Sequence, residues 1–279
     1  MNPTLDVFST PEHQPFTLHA GRGAMLLVHG FPGTPAELRP LADSLHAAGW
    51  TVDAVLLPGF GSDFPTLQQR RYTDWINAVE TRLDHLRQTQ QPVLLVGFSM
   101  GAAVSLNVAQ RTAVDGLVLI NPFTRLGGAL FGLLPIIKRI IPQFEPFKLL
   151  KVDFNSPEVR ENIQQFMPGA DLNDPEVQAI VLSLKLPTNA LDQLRLVGQS
   201  ATRLAPKLQT PTLVIQARED KTVNPAYTRE LVARLPAGTP LVEVPGDHNF
   251  IRYEPAALAE AVQHILTFTR QIPTRQSPA

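Results

Sequence analysis

The chain has 279 residues, a formal net charge of −1 and no cysteine, with a pI near 6.7. That balance suggests neither a nucleic-acid patch nor an anionic-membrane anchor. The missing thiols exclude disulfides, thiolate metal sites and a cysteine nucleophile. The length suits one large α/β domain, or such a core carrying an inserted lid.

Residues 1–20 alternate polar residues with Pro and His and contain no apolar h-region. A secretory signal is therefore not expected, and a cytoplasmic location is. The longest apolar stretch, 129–141, is too short for a membrane span and is broken by Pro135, Lys138 and Arg139.

A short edge strand is expected at Phe16 to Ala20, before the turn Gly21-Arg22-Gly23. Ala24 to Val28 is continuously apolar, as in a parallel strand buried on both faces, and it runs into His29-Gly30-Phe31-Pro32-Gly33. Thr34, Pro35 and Glu37 then predict a helix start with a capping box. Leu38, Leu41, Ala42 and Leu45 recur at helical spacing up to Gly49. Trp50 to Leu57 reads as the next strand, followed by a polar loop and a helix from about Thr73 with Trp75, Val79, Leu83 and Leu86 on one face.

Pro92 to Val96 is again strand-like, and Ala102 to Ala109 is helical; between them lies Gly97-Phe98-Ser99-Met100-Gly101. Strand, Gly-flanked turn and helix form the setting in which G-x-S-x-G exposes a nucleophilic serine. Taken alone the pattern is weak, since a chain of this length carries one by chance about a tenth of the time. Gly116 to Ile120 is a further buried strand, ending at Asn121-Pro122. The alternation predicts a mostly parallel sheet with ligands at the carboxyl ends of its strands.

From Phe123 to Leu208 the alternation stops, and only helical patterning broken by prolines remains. It resumes with a strand at Pro211 to Ala217, a helix near Pro225 to Leu235, a strand at Pro240 to Val244 and a last helix from about Pro255 to Arg270. Residues 1–122 and 209–279 are thus expected to form the core, with 123–208 as a helical insertion.

A nucleophilic serine needs a base, and the base needs an acid to orient it. In this class the order along the chain is Ser, then Asp or Glu, then His. His13, His19, His29, His46 and His85 precede Ser99, which leaves His248 and His264. His264 falls mid-helix, whereas His248 lies in a loop just past a strand end, where catalytic residues collect. For the acid, Asp220 follows the strand ending at Ala217, with Glu219 as its nearest rival. Asp247 adjoins the base and is expected to shape its loop. Asn121, at another strand end, cannot carry the charge. The oxyanion donors are expected to be the amides of Met100 and Phe31, because Pro32 has no N–H. Gly30 and Phe31 are also expected to touch substrate. His29, ending an apolar strand, reads as a structural histidine.

The segments LLVHGFPGTP, LLPGFGSD, LLVGFSMG, LVIQAREDKTV and VPGDHNF make the chain resemble serine hydrolases of the α/β-hydrolase fold. The resemblance is closest to the bacterial carboxylesterase and monoacylglycerol-lipase group. It covers both halves of the core and implies Ser99 as nucleophile, Asp220 and His248 as its partners, and Phe31 with Met100 as the oxyanion hole. It also implies that 123–208 caps the site. Asp247 and Asn249 depart from the pattern, in which smaller or apolar residues flank the histidine.

The expected activity is hydrolysis of carboxylic esters through an acyl-enzyme, without metal or cofactor. Leu133, Leu134, Ile136, Ile137, Ile140, Ile141, Phe144, Leu130, Phe131 and Phe147 favour a small ester with an apolar acyl chain as substrate. Contact of 129–141 with a lipid surface is a second use of the same residues. A lactonase, a thioesterase, a C–C hydrolase and an acyltransferase fit the same triad, and a ligand-binding relative without catalysis is the alternative from another class.

Overall fold

The computed structural model describes residues 7–272 except 126, 128, 146–151, 157–158, 161–162, 164–170 and 184. Seven strands make the main sheet: β1 (Phe16–Leu18), β2 (Ala24–Val28), β3 (Thr51–Val55), β4 (Val93–Phe98), β5 (Gly116–Ile120), β8 (Thr212–Ala217) and β9 (Leu241–Val244). Their order is β1-β3-β2-β4-β5-β8-β9. β1 runs antiparallel to β3 at the edge, and every other pairing is parallel.

Both faces of the sheet are covered at its centre, which is why β2 and β5 read as unbroken apolar runs. Successive residues of β2 point to opposite sides. Ala24, Leu26 and Val28 share a cluster with Trp75, Val79 and Leu83 of α2 (Tyr72–Arg87) and with Met100 and Val104 of α3 (Met100–Ala109). Met25 and Leu27 share one with Leu41 and Leu45 of α1 (Arg39–Ala47) and with Ala261 and Ile265 of α9 (Pro255–Thr269).

Between β5 and β8 the chain leaves the sheet and forms α4 (Leu134–Ile140), α5 (Pro175–Leu182) and α6 (Thr188–Leu204). α6 packs on α3, and its Ala190, Leu194, Val197 and Ala201 join the cluster of the first sheet face. The helices are close enough to the chain leaving β5 that a Cβ on Gly198 would meet Thr124 O at 2.4 Å. Two two-residue strands also occur here, β6 (Gln143–Phe144) and β7 (Leu186–Pro187), paired antiparallel. No strand is expected in this stretch from the sequence, because two residues are too few for period-two alternation to register. Phe147 and the side chain of Leu130 lie outside the described residues.

The start of α1 differs from expectation. A 3-10 turn, Pro35–Leu38, precedes it, and Thr34 makes no capping hydrogen bond. Its hydroxyl instead meets His13 Nδ1 at 2.7 Å, while the Glu37 carboxyl accepts the Gly30 N–H. Both members of the expected capping box are claimed by longer-range partners. The strand expected to reach Leu57 stops at Val55, and 3-10 turns over Gly61–Gln69 occupy the polar loop.

Beyond β8 come α7 (Pro225–Val232), β9, the single turn α8 (Phe250–Tyr253) and α9. No helix among the described residues is long and apolar enough to cross a membrane.

Candidate active site

β4 ends at Phe98 and α3 begins at Met100, so Ser99 alone makes the turn, with φ 54° and ψ −117°. A non-glycine residue there is strained, and the surroundings must hold it. Ser99 N donates to Ile120 O at 2.9 Å, and Ser99 O accepts from Ala102 N and Phe123 N at 3.1 Å each. The glycines of the motif serve close approach. A Cβ on Gly101 would lie 2.1 Å from Val28 O and 2.6 Å from His29 O, and one on Gly97 would lie 2.4 Å from Gly101 O. The first turn of α3 therefore rests on the end of β2.

Ser99 Oγ lies 3.1 Å from His248 Nε2, and His248 Nδ1 lies 2.7 Å from Asp220 Oδ2. A carboxylate only accepts, so Nδ1 carries the proton, and Nε2 is left to accept the Ser99 hydroxyl. Asp220 is itself fixed by the amides of Thr222 (2.8 Å) and Val223 (2.7 Å) on Oδ1 and by Gln216 Nε2 (3.2 Å) on Oδ2. All three side chains are buried, Ser99 being 6% exposed.

The loops that carry Asp220 and His248 are tied to each other. Asn121, at the end of β5 with φ 45°, donates from Nδ2 to His248 O (2.8 Å) and accepts Ala217 N–H on Oδ1 (2.8 Å). Sequence reasoning excluded Asn121 as the acid and assigned it nothing else; its place at a strand end was the available signal. Glu219 points away from the imidazole and accepts Gly246 N–H at 2.5 Å. Asp247 accepts Lys221 N–H (3.0 Å) and His248 N–H (2.6 Å), so it shapes the histidine loop. His264 lies within α9.

His29 is fully buried, with Nδ1 donating to Gly30 O at 2.9 Å and Nε2 accepting Leu57 N–H at 3.0 Å. Burial lowers its pKa to about 4, so it is neutral and structural near pH 7. Gly30 and Phe31 line the same cavity as Ser99 and His248, together with Glu37, Thr222, Asn249 and Arg252. The cavity holds about 210 Å³, below the roughly 300–1,000 Å³ of complete small-molecule sites. Among the described residues, none of its walls comes from 123–208. Met100, as the first residue of α3, has an amide without an intrahelical acceptor. Sequence reasoning also missed Glu37 at this cavity, because its spacing from Thr34 fits a capping box equally well.

Residues 25–261 match the family model described as the alpha/beta hydrolase family. A thermostable monoacylglycerol lipase of Bacillus sp. (strain H-257) is 30% identical over 214 residues, 76% of each chain. A carboxylesterase of Bacillus subtilis (strain 168) is 24% identical over 213 residues, 76% of this chain and 77% of its own. Among solved structures, one described under two metagenome-derived lipolytic enzymes, LipS and LipT, superposes with a TM-score of 0.74 at 21% identity, covering 94% of this chain and 98% of its own. The monoacylglycerol lipase of Paleococcus ferrophilus gives 0.67 at 18% identity, covering 91% and 98%. The chain belongs to the alpha/beta hydrolase family.

Proposed function

We propose that the chain is a carboxylic-ester hydrolase in which Ser99, His248 and Asp220 act as nucleophile, base and orienting acid. The observation that carries this reading is the unbroken line from a strained serine, through a histidine of defined tautomer, to a carboxylate held by three other donors. Ser99 Oγ attacks the ester carbonyl as its proton passes to His248 Nε2. The amides of Phe31 and Met100 receive the oxyanion, where fixed donors contribute most to catalysis. The imidazolium protonates the departing alcohol, and water repeats the sequence on the acyl-enzyme. Gly30 and Phe31 contact the substrate.

Residues 123–208 form a cap anchored by α6, and 1–122 with 209–279 form the core. The topology supports this division: the chain leaves the sheet at Asn121, beside Ser99, and re-enters it at β8. The apolar residues of 129–144, with a monoacylglycerol lipase among the relatives, support an ester with an apolar acyl chain over a charged substrate. A second reading, contact of the cap with lipid aggregates, draws on Leu133, Ile136, Ile140 and Ile141, which are 51%, 58%, 75% and 49% exposed. Apolar side chains gathered so densely on one surface favour an apolar partner.

The test is hydrolysis of p-nitrophenyl esters and monoacylglycerols across acyl lengths, with fluorophosphonate labelling of the wild type and of Ser99→Ala. The expected result is ester turnover and labelling in the wild type and neither in the variant. Full turnover in Ser99→Ala would sink the reading. Unlabelled Ser99 in an inactive wild type would favour the non-catalytic alternative.

A further inference from the structure

The cavity beside Ser99 contains a carboxyl group that the acyl-transfer scheme does not use. Glu37 stands on the 3-10 turn before α1 and reaches back seven residues to accept the Gly30 N–H. Its carboxylate fills the inside of the Gly30–Gly33 turn: a Cβ on Gly33 would lie 2.2 Å from Oε2. A Cβ on Gly30 would lie 3.3 Å from Glu37 Oε1 and 3.2 Å from Ser99 Cβ. The carboxyl and the nucleophile thus flank one backbone atom.

Gly30 is held on both of its peptide groups. Its amide is taken by Glu37, and its carbonyl accepts from His29 Nδ1 (2.9 Å) and Gly33 N (3.1 Å). The Gly30 carbonyl and the Phe31 N–H belong to one planar peptide group, so fixing the first fixes the direction of the second. Rigid aim is what an oxyanion donor needs, since a misplacement of about 1 Å can cost about a hundredfold in rate.

We propose that Glu37 is a positioning residue for acyl transfer: its carboxyl oxygen fixes the His29–Gly30 peptide, so that the next peptide, held at its carbonyl by His29 and Gly33, pivots about a fixed Gly30 Cα and keeps the Phe31 N–H aimed at the oxyanion. The inference rests on the reading of Ser99 as an ester-hydrolysing nucleophile. A second observation agrees with it. Burial raises the Glu37 carboxyl to about 7 against the opposing effects of the Gly30 amide and Arg252. The groups facing this region are Arg252 of α8 and His248 across the cavity, His29 beneath the loop, and His13 through Thr34 with Glu12 beside it. Both protonation states retain an acceptor for Gly30, but the ionised one places negative charge behind the oxyanion and opposes its formation.

Glu37→Gln keeps the acceptor and the volume without the charge. Glu37→Asp keeps the charge but draws the oxygen back by one methylene, and Glu37→Ala removes both. With a soluble short-chain ester, Asp and Ala are expected to lower kcat by about ten- to a hundredfold at a KM within about threefold of wild type. Gln is expected to stay within about threefold in kcat and to flatten the part of the kcat–pH profile that titrates near 7. Thermal melts establish that each variant is folded at the assay temperature. If Ala does not fold, the contrast between Asp and Gln decides. Wild-type kcat in Asp or Ala, or a Gln variant no better than Asp, would overturn the proposal. So would a Gln profile that superimposes on the wild type. Wild-type turnover and its loss in Ser99→Ala are measured alongside; if those fail, the esterase reading falls, and if they hold while the Glu37 variants behave alike, only this proposal falls.

Discussion

At the scale of single residues, the site depends on who donates to whom. Asp220 holds His248 in the tautomer that leaves Nε2 free for Ser99. Asp220→Asn presents an amide in its place, which favours the wrong tautomer, and kcat is expected to fall about a thousandfold or more while circular dichroism and the melting temperature stay near wild type. Activity close to wild type would move the acid elsewhere, with Glu219 the first candidate. A second prediction concerns pH. The Glu37 carboxyl rises from 4.5 unfolded to about 7 folded, so the folded state binds the extra proton between those values. Its stability contribution is present below about pH 4.5 and is lost as pH rises through 7. His29 runs the other way, falling from 6.5 to about 4; the unfolded chain binds the extra proton, and stability is lost as pH falls below 6.5. Glu37→Gln should therefore melt above wild type at pH 8, with the gap closing by pH 5 while the His29 loss remains in both. A gap independent of pH would contradict the assignment. The grouping of Ser99, His248 and Asp220 was legible because few histidines follow Ser99 and only one of them lies in a loop past a strand end. Glu37 and Asn121 were not, because their partners, Gly30 on one side and His248 with Ala217 on the other, are brought to them only by the fold.

At the scale of elements, the strands were the most readable part. Burial on both faces leaves runs such as Ala24 to Val28 and Gly116 to Ile120 with no polar interruption. What escaped were structures set by contacts distant in sequence: the pair β6–β7, and the 3-10 turn whose Thr34 and Glu37 serve His13 and Gly30 instead of a helix cap. The junction of α3 with β2 is an element-scale contact with a sharp test. In Gly101→Ala the new methyl would lie 2.1 Å from Val28 O, which is backbone and can yield only if α3 or the end of β2 shifts. Overpacking of this kind costs about 1–3 kcal/mol, and here it also separates Ser99 from the Gly30–Phe31 loop. We expect a lower denaturation midpoint together with a reduced kcat. A variant that melts like wild type and turns over normally would mean that α3 does not rest on β2 as described.

At the scale of the molecule, the parallel sheet brings together at the carboxyl ends of its strands residues that lie 149 positions apart in the chain, Ser99 and His248. The insertion between β5 and β8 is joined to that end of the sheet, but none of the described cavity walls comes from it. If its exposed apolar residues meet lipid, Ile136→Ser with Ile140→Ser should lower turnover of emulsified long-chain monoacylglycerol several-fold more than turnover of a dissolved short-chain ester. Equal losses on both substrates would argue for a packing role instead. Asn121 gives the arrangement a further consequence. Because this one side chain fastens the end of β8 to the His248 loop just before the chain departs, the line from Ser99 through His248 to Asp220 is braced by residues upstream of the detour and downstream of its return. The outer part of the intervening stretch, α4 and α5, is then the portion open to exchange, in evolution or by grafting, provided that α6 keeps its seat on α3.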